Sequence, residues 1–272
     1  MITFRCLSVG INKYPGNALQ NCVNDANAIG AWTEAHGARM STGYQRDTEG
    51  TAANMREGLR WLLSGPLEPG SVLLFSYSGH GAQVRDLDGD EPDGTDETLV
   101  PIDFNFQKPG TWFTDDALHQ QILEAKLPPG VTLLVNVDAC HAGTLLRGAP
   151  APIRGLHPPL AVQVAARRGA RSWVGLAPKV RQFGHRLASR HAAVALLAAT
   201  KPTQLASDGS GSNGAHTAAL LACLQKDAQQ PLRSLRGAMA AYLTLNGYSG
   251  QTPTLYGNRS VWRAPFFQSA GA

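Results

Sequence analysis

The chain has 272 residues, of which 43% are hydrophobic and 16% charged, so it is long and apolar enough to bury a sizeable core and is not a disordered protein. Its longest apolar runs are far shorter than the ~20 residues of a membrane helix, so we expect no membrane span. The formal net charge is +4, and its distribution matters more than its size.

Apolar runs that are typical of strands alternate with helical patterns, which predicts an α/β fold with a sheet covered by helices. In chain order, the predicted strands are residues 4–10, 71–78, 131–138, 194–199 and 254–256. The predicted helices are residues 24–36, 51–63, a helix capped by Thr114, residues 216–224 and residues 232–245.

The basic residues are concentrated in one segment. Between residues 147 and 191 the sequence holds eight Arg and one Lys, but no Asp or Glu. The rest of the chain is therefore acidic. Because this segment also holds five prolines, we predict an exposed linker. A nucleic-acid surface is the alternative, although no binding motif for RNA or DNA occurs there.

The four cysteines do not form metal-binding or redox pairs. Cys6, Cys22, Cys140 and Cys223 show no CxxC spacing, which argues against a disulfide framework or a structural zinc site. The N-terminal residues MITFRCLSVGINKYPG also lack the basic and apolar regions of a signal peptide. We therefore expect a cytoplasmic protein with reduced thiols.

Two predicted strands end in residues suited to nucleophilic catalysis. VLLFSYSGHG places His80 just past one apolar run, and VTLLVNVDACHAG places Cys140 just past another. Ligands bind beyond the carboxyl ends of strands in α/β sheets, so neighbouring strands would bring the two residues into one crevice. A nearby imidazole lowers the pKa of a thiol and can protonate a leaving amine. The backbone amides of Gly81 and Cys140 are candidates for stabilising an oxyanion.

The alternation of side chains along a strand adds two polar residues to this crevice. Residues i and i+2 of a strand share one side of the sheet, so Asp138 should accompany Cys140 and Ser78 should accompany His80. An anionic pocket beside a scissile bond would select a basic side chain. The simpler alternative is that Asp138 caps a strand end and His80 is a buried, hydrogen-bonded histidine.

An acidic stretch, DLDGDEPDGTDE, spans residues 86–97. It is not an EF-hand, because its sixth residue is Glu91 instead of Gly and a strand precedes it. One interpretation is an oxygen-rich metal site that uses Asp96 with Asp115 and Asp116. The other interpretation is a solvated acidic loop.

Three segments, ALQNCVNDA, FSYSGHGAQVRDLDGDEPDGTDE and VNVDACHAG, resemble motifs of metacaspases, which are caspase-like cysteine peptidases. The resemblance implies a caspase-like α/β fold, with a central, mostly parallel sheet flanked by helices on both faces. It implies a large-subunit-like part over residues 1–147, the basic linker over 148–191 and a small-subunit-like part over 192–272, together forming one domain. The order resembles a type I metacaspase without a prodomain.

The resemblance also assigns roles to residues. His80 would be the general base and Cys140 the nucleophile of an endopeptidase that forms an acyl-enzyme. The family's S1 pocket, which binds the side chain preceding the cleaved bond, maps onto Cys22, Asp25, Ser78 and Asp138. Two carboxylates in that pocket favour protein or peptide substrates cleaved after Arg or Lys.

The family's calcium site is only partly matched. Asp96, Asp115 and Asp116 correspond to its ligands, but Arg147 stands where a further aspartate is expected. A cation at a ligand position weakens calcium binding, so we expect no required cofactor, with calcium as a candidate only.

We expect a monomer that cleaves itself within the basic linker and has no nucleic-acid or membrane partner. An alternative function is a catalytically silent calcium- or peptide-binding module of caspase-like fold. The presence of both His80 and Cys140 argues against that alternative.

Overall fold

The computed structural model describes residues 2–40, 46–89, 94–139, 193–201, 204–257 and 261–266. Its strands are β1 (Phe4–Gly10), β2 (Arg39–Met40), β3 (Val72–Ser78), β4 (Gly81–Arg85), β5 (Thr95–Leu99), β6 (Phe113–Thr114), β7 (Thr132–Asp138), β8 (Ala193–Ala198) and β9 (Thr254–Gly257). Its helices are α1 (Cys22–Ala35), α2 (Ala52–Leu63), α3 (Asp115–Ala125), α4 (Ala215–Lys226) and α5 (Leu232–Leu245).

The central sheet has six strands in the order β2-β1-β3-β7-β8-β9. Every neighbouring pair is parallel except β8 and β9, which are antiparallel. Strand β3 is buried along its whole length, as expected for a parallel strand covered on both faces. The predicted α/β fold with a central, mostly parallel sheet is confirmed.

Helices cover both faces of this sheet. Successive strand side chains point to opposite faces, so Leu73 and Leu74 of β3 belong to two different cores. Leu73 lies in a core with Met55 of α2, whereas Leu74 lies in a core with Ile29 of α1 and Leu235 of α5. Residues of β3 and β7 that share the Leu74 face therefore point toward α1, α4 and α5.

A second sheet, which the sequence analysis did not predict, consists of the antiparallel strands β4, β5 and β6. Strand β5 contains the end of the acidic stretch. Asp96 and Glu97 are only 5% and 6% exposed. The solvated-loop interpretation is therefore wrong for these two residues, because pairing with β4 on one side and β6 on the other buries them.

Two of the helices begin with a threonine side chain that caps the first turn. Thr51 accepts a hydrogen bond from the Asn54 amide before α2, and Thr114 accepts one from the Ala117 amide before α3, as predicted. Helix α1 instead begins at Cys22, before the predicted residue 24, and its first two amides, those of Cys22 and Val23, donate to the side-chain oxygen of Asn12 in the preceding loop. Within the described ranges, no helix is long and apolar enough to span a bilayer.

Candidate active site

The carboxyl ends of β3 and β7 lie side by side. Ser78 is opposite Asp138 in the parallel register, and the Gly79 amide donates a 3.3 Å hydrogen bond to the Asp138 carbonyl. His80 follows β3, and Cys140 is the second residue after β7. The two strand ends are neighbours, as the sequence predicts. Cys140 lies outside the described residues, so its contact with His80 stays a prediction.

His80 is held between the end of β3 and the loop that follows β1. Its side chain is buried, and its Nε2 lies 2.7 Å from the carbonyl oxygen of Asn17. A carbonyl oxygen can only accept, so Nε2 carries the proton, and in the neutral imidazole Nδ1 is the basic nitrogen. Gly81 then begins β4, opposite Leu99 of β5.

Asp25 and Ser78 of the predicted S1 pocket are in direct contact. The Ser78 hydroxyl donates a 2.7 Å hydrogen bond to Asp25 Oδ2. Asp25 Oδ1 accepts hydrogen bonds from the Asn213 side chain at 3.0 Å and the Gly214 amide at 2.8 Å. Asp25 is 1% exposed, and a carboxylate this deeply buried is stabilised by such donors.

Asp138 is anchored by the start of α4. It is fully buried, and its Oδ2 accepts hydrogen bonds from the Thr217 amide at 3.2 Å and the Thr217 hydroxyl at 2.9 Å. Asp138 shares its strand face with Asn136, whose Oδ1 lies 2.9 Å from Nε2 of the buried His216. Both predicted S1 carboxylates are therefore oriented by residues at the start of α4.

Cys22, the fourth predicted S1 residue, lies beside a carboxylate that the sequence analysis did not identify. Its Sγ is 3.8 Å from Asp208 Oδ1. Asp208 also accepts hydrogen bonds from the Gln20 amide at 2.7 Å and the Asn21 amide at 3.3 Å. Asp208 thus binds the amides just before α1 from 188 residues away in the sequence.

The predicted calcium ligands lie on neighbouring elements, but their side chains do not form a metal site in the described part of the chain. The pairing of Thr98 with Thr114 brings β5, which contains Asp96, next to the start of α3. Asp115 and Asp116 lie in the first turn of α3, where their negative charges also interact favourably with the positive end of the helix dipole. Across the described part of the chain, no group of three His, Cys, Asp or Glu side chains that could hold a metal ion is present. Arg147 lies outside that part.

Comparison with known proteins identifies the family of this chain. Residues 5–148 match the family model of the metacaspase, peptidase C14 domain. The chain belongs to the metacaspase family.

Relatives of this metacaspase chain occur in yeasts. Metacaspase-1 of Yarrowia lipolytica is 40% identical over 152 residues, which cover 52% of this chain and 32% of that protein. Metacaspase-1 of Kluyveromyces lactis is 37% identical over 151 residues, which cover 52% of this chain and 34% of that protein. The chain thus matches about a third of the length of these relatives.

Two solved structures are similar over nearly the whole metacaspase chain. Protein GSU0716 from Geobacter sulfurreducens superposes with a TM-score of 0.72 at 25% identity, covering 98% of this chain and 99% of that one. Caspase-1 from Spodoptera frugiperda has a TM-score of 0.54 at 10% identity, covering 94% and 86%. The second comparison confirms the caspase-like fold.

The metacaspase motifs did not reveal every residue that positions the site. Four residues that the motifs do not indicate contact the predicted site residues through backbone or side-chain groups, namely Asn17, Asp208, Asn213 and Thr217. No local pattern identifies them, because each acts on a partner more than 60 positions away.

Proposed function

We propose that this metacaspase is a cysteine endopeptidase that cleaves proteins or peptides after Arg or Lys. The observation that carries the proposal is the pair of buried carboxylates around Ser78. Ser78 is hydrogen-bonded to Asp25 and lies opposite Asp138, two residues before His80. The Arg or Lys side chain of a substrate bound in this pocket would therefore lie next to His80, the proposed general base.

The charge of this pocket determines the proposed specificity. An arginine guanidinium can donate two parallel hydrogen bonds to a carboxylate, and a lysine ammonium can donate to several oxygens. A substrate aspartate would bring a third anion toward Asp25 and Asp138, which are both buried. Cleavage after acidic residues is therefore disfavoured.

In the proposed reaction, His80 takes the proton of the Cys140 thiol, and the thiolate attacks the carbonyl carbon of the scissile bond. The amides of Gly81 and Cys140 donate hydrogen bonds to the resulting oxyanion. His80 then protonates the leaving amine as the C–N bond breaks, which leaves a thioester on Cys140. A water that gives its proton to His80 hydrolyses the thioester, releasing the carboxylic acid and the free thiol.

The orientation of His80 supports this assignment. Because Nε2 donates to the Asn17 carbonyl, Nδ1 is the basic nitrogen of the neutral imidazole, and we assign the proton exchange with the thiol to it. The hydrogen bond also favours the imidazolium that forms after the first proton transfer, since its Nε2–H still donates to the Asn17 carbonyl.

We also propose that residues 1–147 and 192–272 are the two parts of one catalytic domain, joined by the self-cleaved linker 148–191. Two observations support this division. Strand β7 of the first part pairs directly with β8 of the second. In addition, Asn213 and Thr217 of the second part bind Asp25 and Asp138 of the first. The proposed enzyme is a cytoplasmic monomer.

A peptide library tests the proposed function. Wild type, Cys140→Ala and the control Cys223→Ala, which alters a buried cysteine on α4, are profiled with and without calcium. We expect wild type and Cys223→Ala to cut after Arg and Lys, and Cys140→Ala to cut nothing. An arginyl electrophile should likewise label wild type and Cys223→Ala at Cys140, and should not label Cys140→Ala. Peptide binding without Cys140-dependent cleavage would instead indicate a catalytically silent module.

A further inference from the structure

The loop between β1 and α1 contacts His80 at two places. Asn17 binds the imidazole through its carbonyl, and Tyr14 packs against the imidazole ring and the backbone of the same residue. We propose that Tyr14 is a positioning residue that fixes the orientation of His80 for proton transfer. This role rests on the proposed peptidase function and adds a residue that the sequence motifs did not identify.

The ring contact is the first observation. The centroids of the Tyr14 and His80 rings are 4.6 Å apart, with an angle of 50° between the ring planes. Tyr14 is 4% exposed and His80 is 2% exposed, so little water separates or surrounds them. A buried aromatic ring in this position restricts the rotation of the imidazole, because interiors are densely packed.

The hydroxyl of Tyr14 provides the second observation. It accepts a hydrogen bond from the His80 amide at 3.3 Å and donates one to the Val100 carbonyl at 2.9 Å. It also lies 3.0 Å from the hydroxyl of Tyr77, which donates to the His80 carbonyl at 2.8 Å. The two tyrosines therefore bind both backbone polar groups of His80.

The protonation of Tyr14 is compatible with this network. Burial, and then the neighbouring Tyr77, raise the pKa of Tyr14 well above its ordinary value. The hydroxyl thus keeps the proton that it donates to Val100 throughout the neutral range.

Gly79 gives a third and independent observation. A Cβ at this position would overlap the hydroxyls of both Tyr14 and Tyr77. Gly79 does not have a positive φ, so the need for glycine here is one of space. The backbone before His80 is thus packed directly against the hydroxyl pair, and the turn cannot shift without disturbing it.

Kinetics of two substitutions test the role. Proton transfer depends on sub-ångström placement of the base, whereas the binding of the substrate's basic side chain depends on Asp25 and Asp138. We expect Tyr14→Phe to lower kcat about tenfold with KM for an arginyl peptide unchanged, and Tyr14→Leu to lower kcat roughly a hundredfold. The matched control is Tyr242→Phe on α5, on the other face of the sheet, which should leave both constants unchanged.

Several results would overturn the role of Tyr14. One is wild-type kcat in both variants, and another is a rise in KM at constant kcat. Circular dichroism verifies that each variant is folded. If Tyr14→Leu does not fold, Tyr77→Phe replaces it and should lower kcat at constant KM, because it removes one of the donors to the His80 carbonyl and leaves the Val100 amide. Absence of Cys140-dependent cleavage by the wild type would overturn the proposed function itself, whereas wild-type cleavage with unaffected Tyr14 variants would overturn this role alone.

Discussion

The hydroxyl of Ser78 donates a 2.7 Å hydrogen bond to the carboxylate of Asp25, 53 positions earlier in the chain. This contact joins the carboxyl end of β3 to the first turn of α1. Asp138, opposite Ser78 on β7, brings a second buried carboxylate to the same strand ends. These three side chains belong, with Cys22, to the proposed S1 pocket.

Removing one of these charges should abolish the preference for basic residues. Asp25→Asn and Asp138→Asn keep the size of the side chain but leave the substrate cation without a carboxylate partner. We expect kcat/KM for an arginyl peptide to fall by about 30-fold to several thousandfold, which corresponds to roughly 2 to 5 kcal/mol. The control Asp227→Asn, at an exposed carboxylate after α4, should retain activity. Efficient wild-type cleavage after Asp would contradict the pocket assignment.

Asp208 should contribute to stability more than an ordinary surface acid. Asp208→Ala removes the acceptor for the Gln20 and Asn21 amides, which lie just before the start of α1. We expect the free energy of unfolding, measured by urea denaturation, to fall by about 1 to 3 kcal/mol. Asp227→Ala removes a carboxylate that accepts an exposed amide hydrogen bond and should change stability much less. Equal stabilities of the two variants would show that Asp208 does not anchor α1.

Five of the six strands of the central sheet could be predicted because their signals are local, whereas the two-residue strand β2 could not. Strand β1 and helix α5 have the predicted bounds, since each has a clear apolar pattern. Strand β5, TDETL, has no such pattern, because polar residues occupy four of its five positions. Its burial results from pairing with β4 and β6, which no short window of sequence reveals.

The candidate site was predictable to a similar extent. Strand ends and family motifs indicated His80, Ser78 and Asp138, because these candidate residues occur within short segments of the sequence. The supporting contacts of Asn17 and Thr217 connect segments that are far apart in the sequence. Asn17 acts through its carbonyl oxygen, so even its residue type carries no signal.

Self-cleavage is expected in the basic linker, because its seven arginines are not accompanied by any Asp or Glu and the enzyme should cut after arginine. The tract that contains Arg167, Arg168 and Arg171 is the expected site. Purified wild type should show two fragments on a denaturing gel, whereas Cys140→Ala should stay intact. Replacing the three arginines with Gln should remove these fragments. Fully active wild type that stays intact would count against processing.

Calcium should have little effect on the wild type. If Asp96 and the Asp115–Asp116 pair face Arg147, its guanidinium can neutralise carboxylates that an ion would otherwise hold together. We therefore expect activity without added calcium, and greater calcium dependence in Arg147→Asp, which restores a ligand oxygen. Arg147→Gln removes the charge without adding a carboxylate and serves as the control. Strong activation of the wild type at micromolar calcium would contradict this prediction.

The dyad is tested most directly by the rate at which an arginyl peptide is cleaved. Cleavage is followed for wild type, Cys140→Ala and His80→Ala, with Cys223→Ala as a control that alters a buried cysteine on α4. We predict no turnover by Cys140→Ala and a loss of several orders of magnitude for His80→Ala, since nucleophile and base act as one unit. Near-wild-type cleavage by either variant would contradict the assignment of Cys140 and His80 as the catalytic pair.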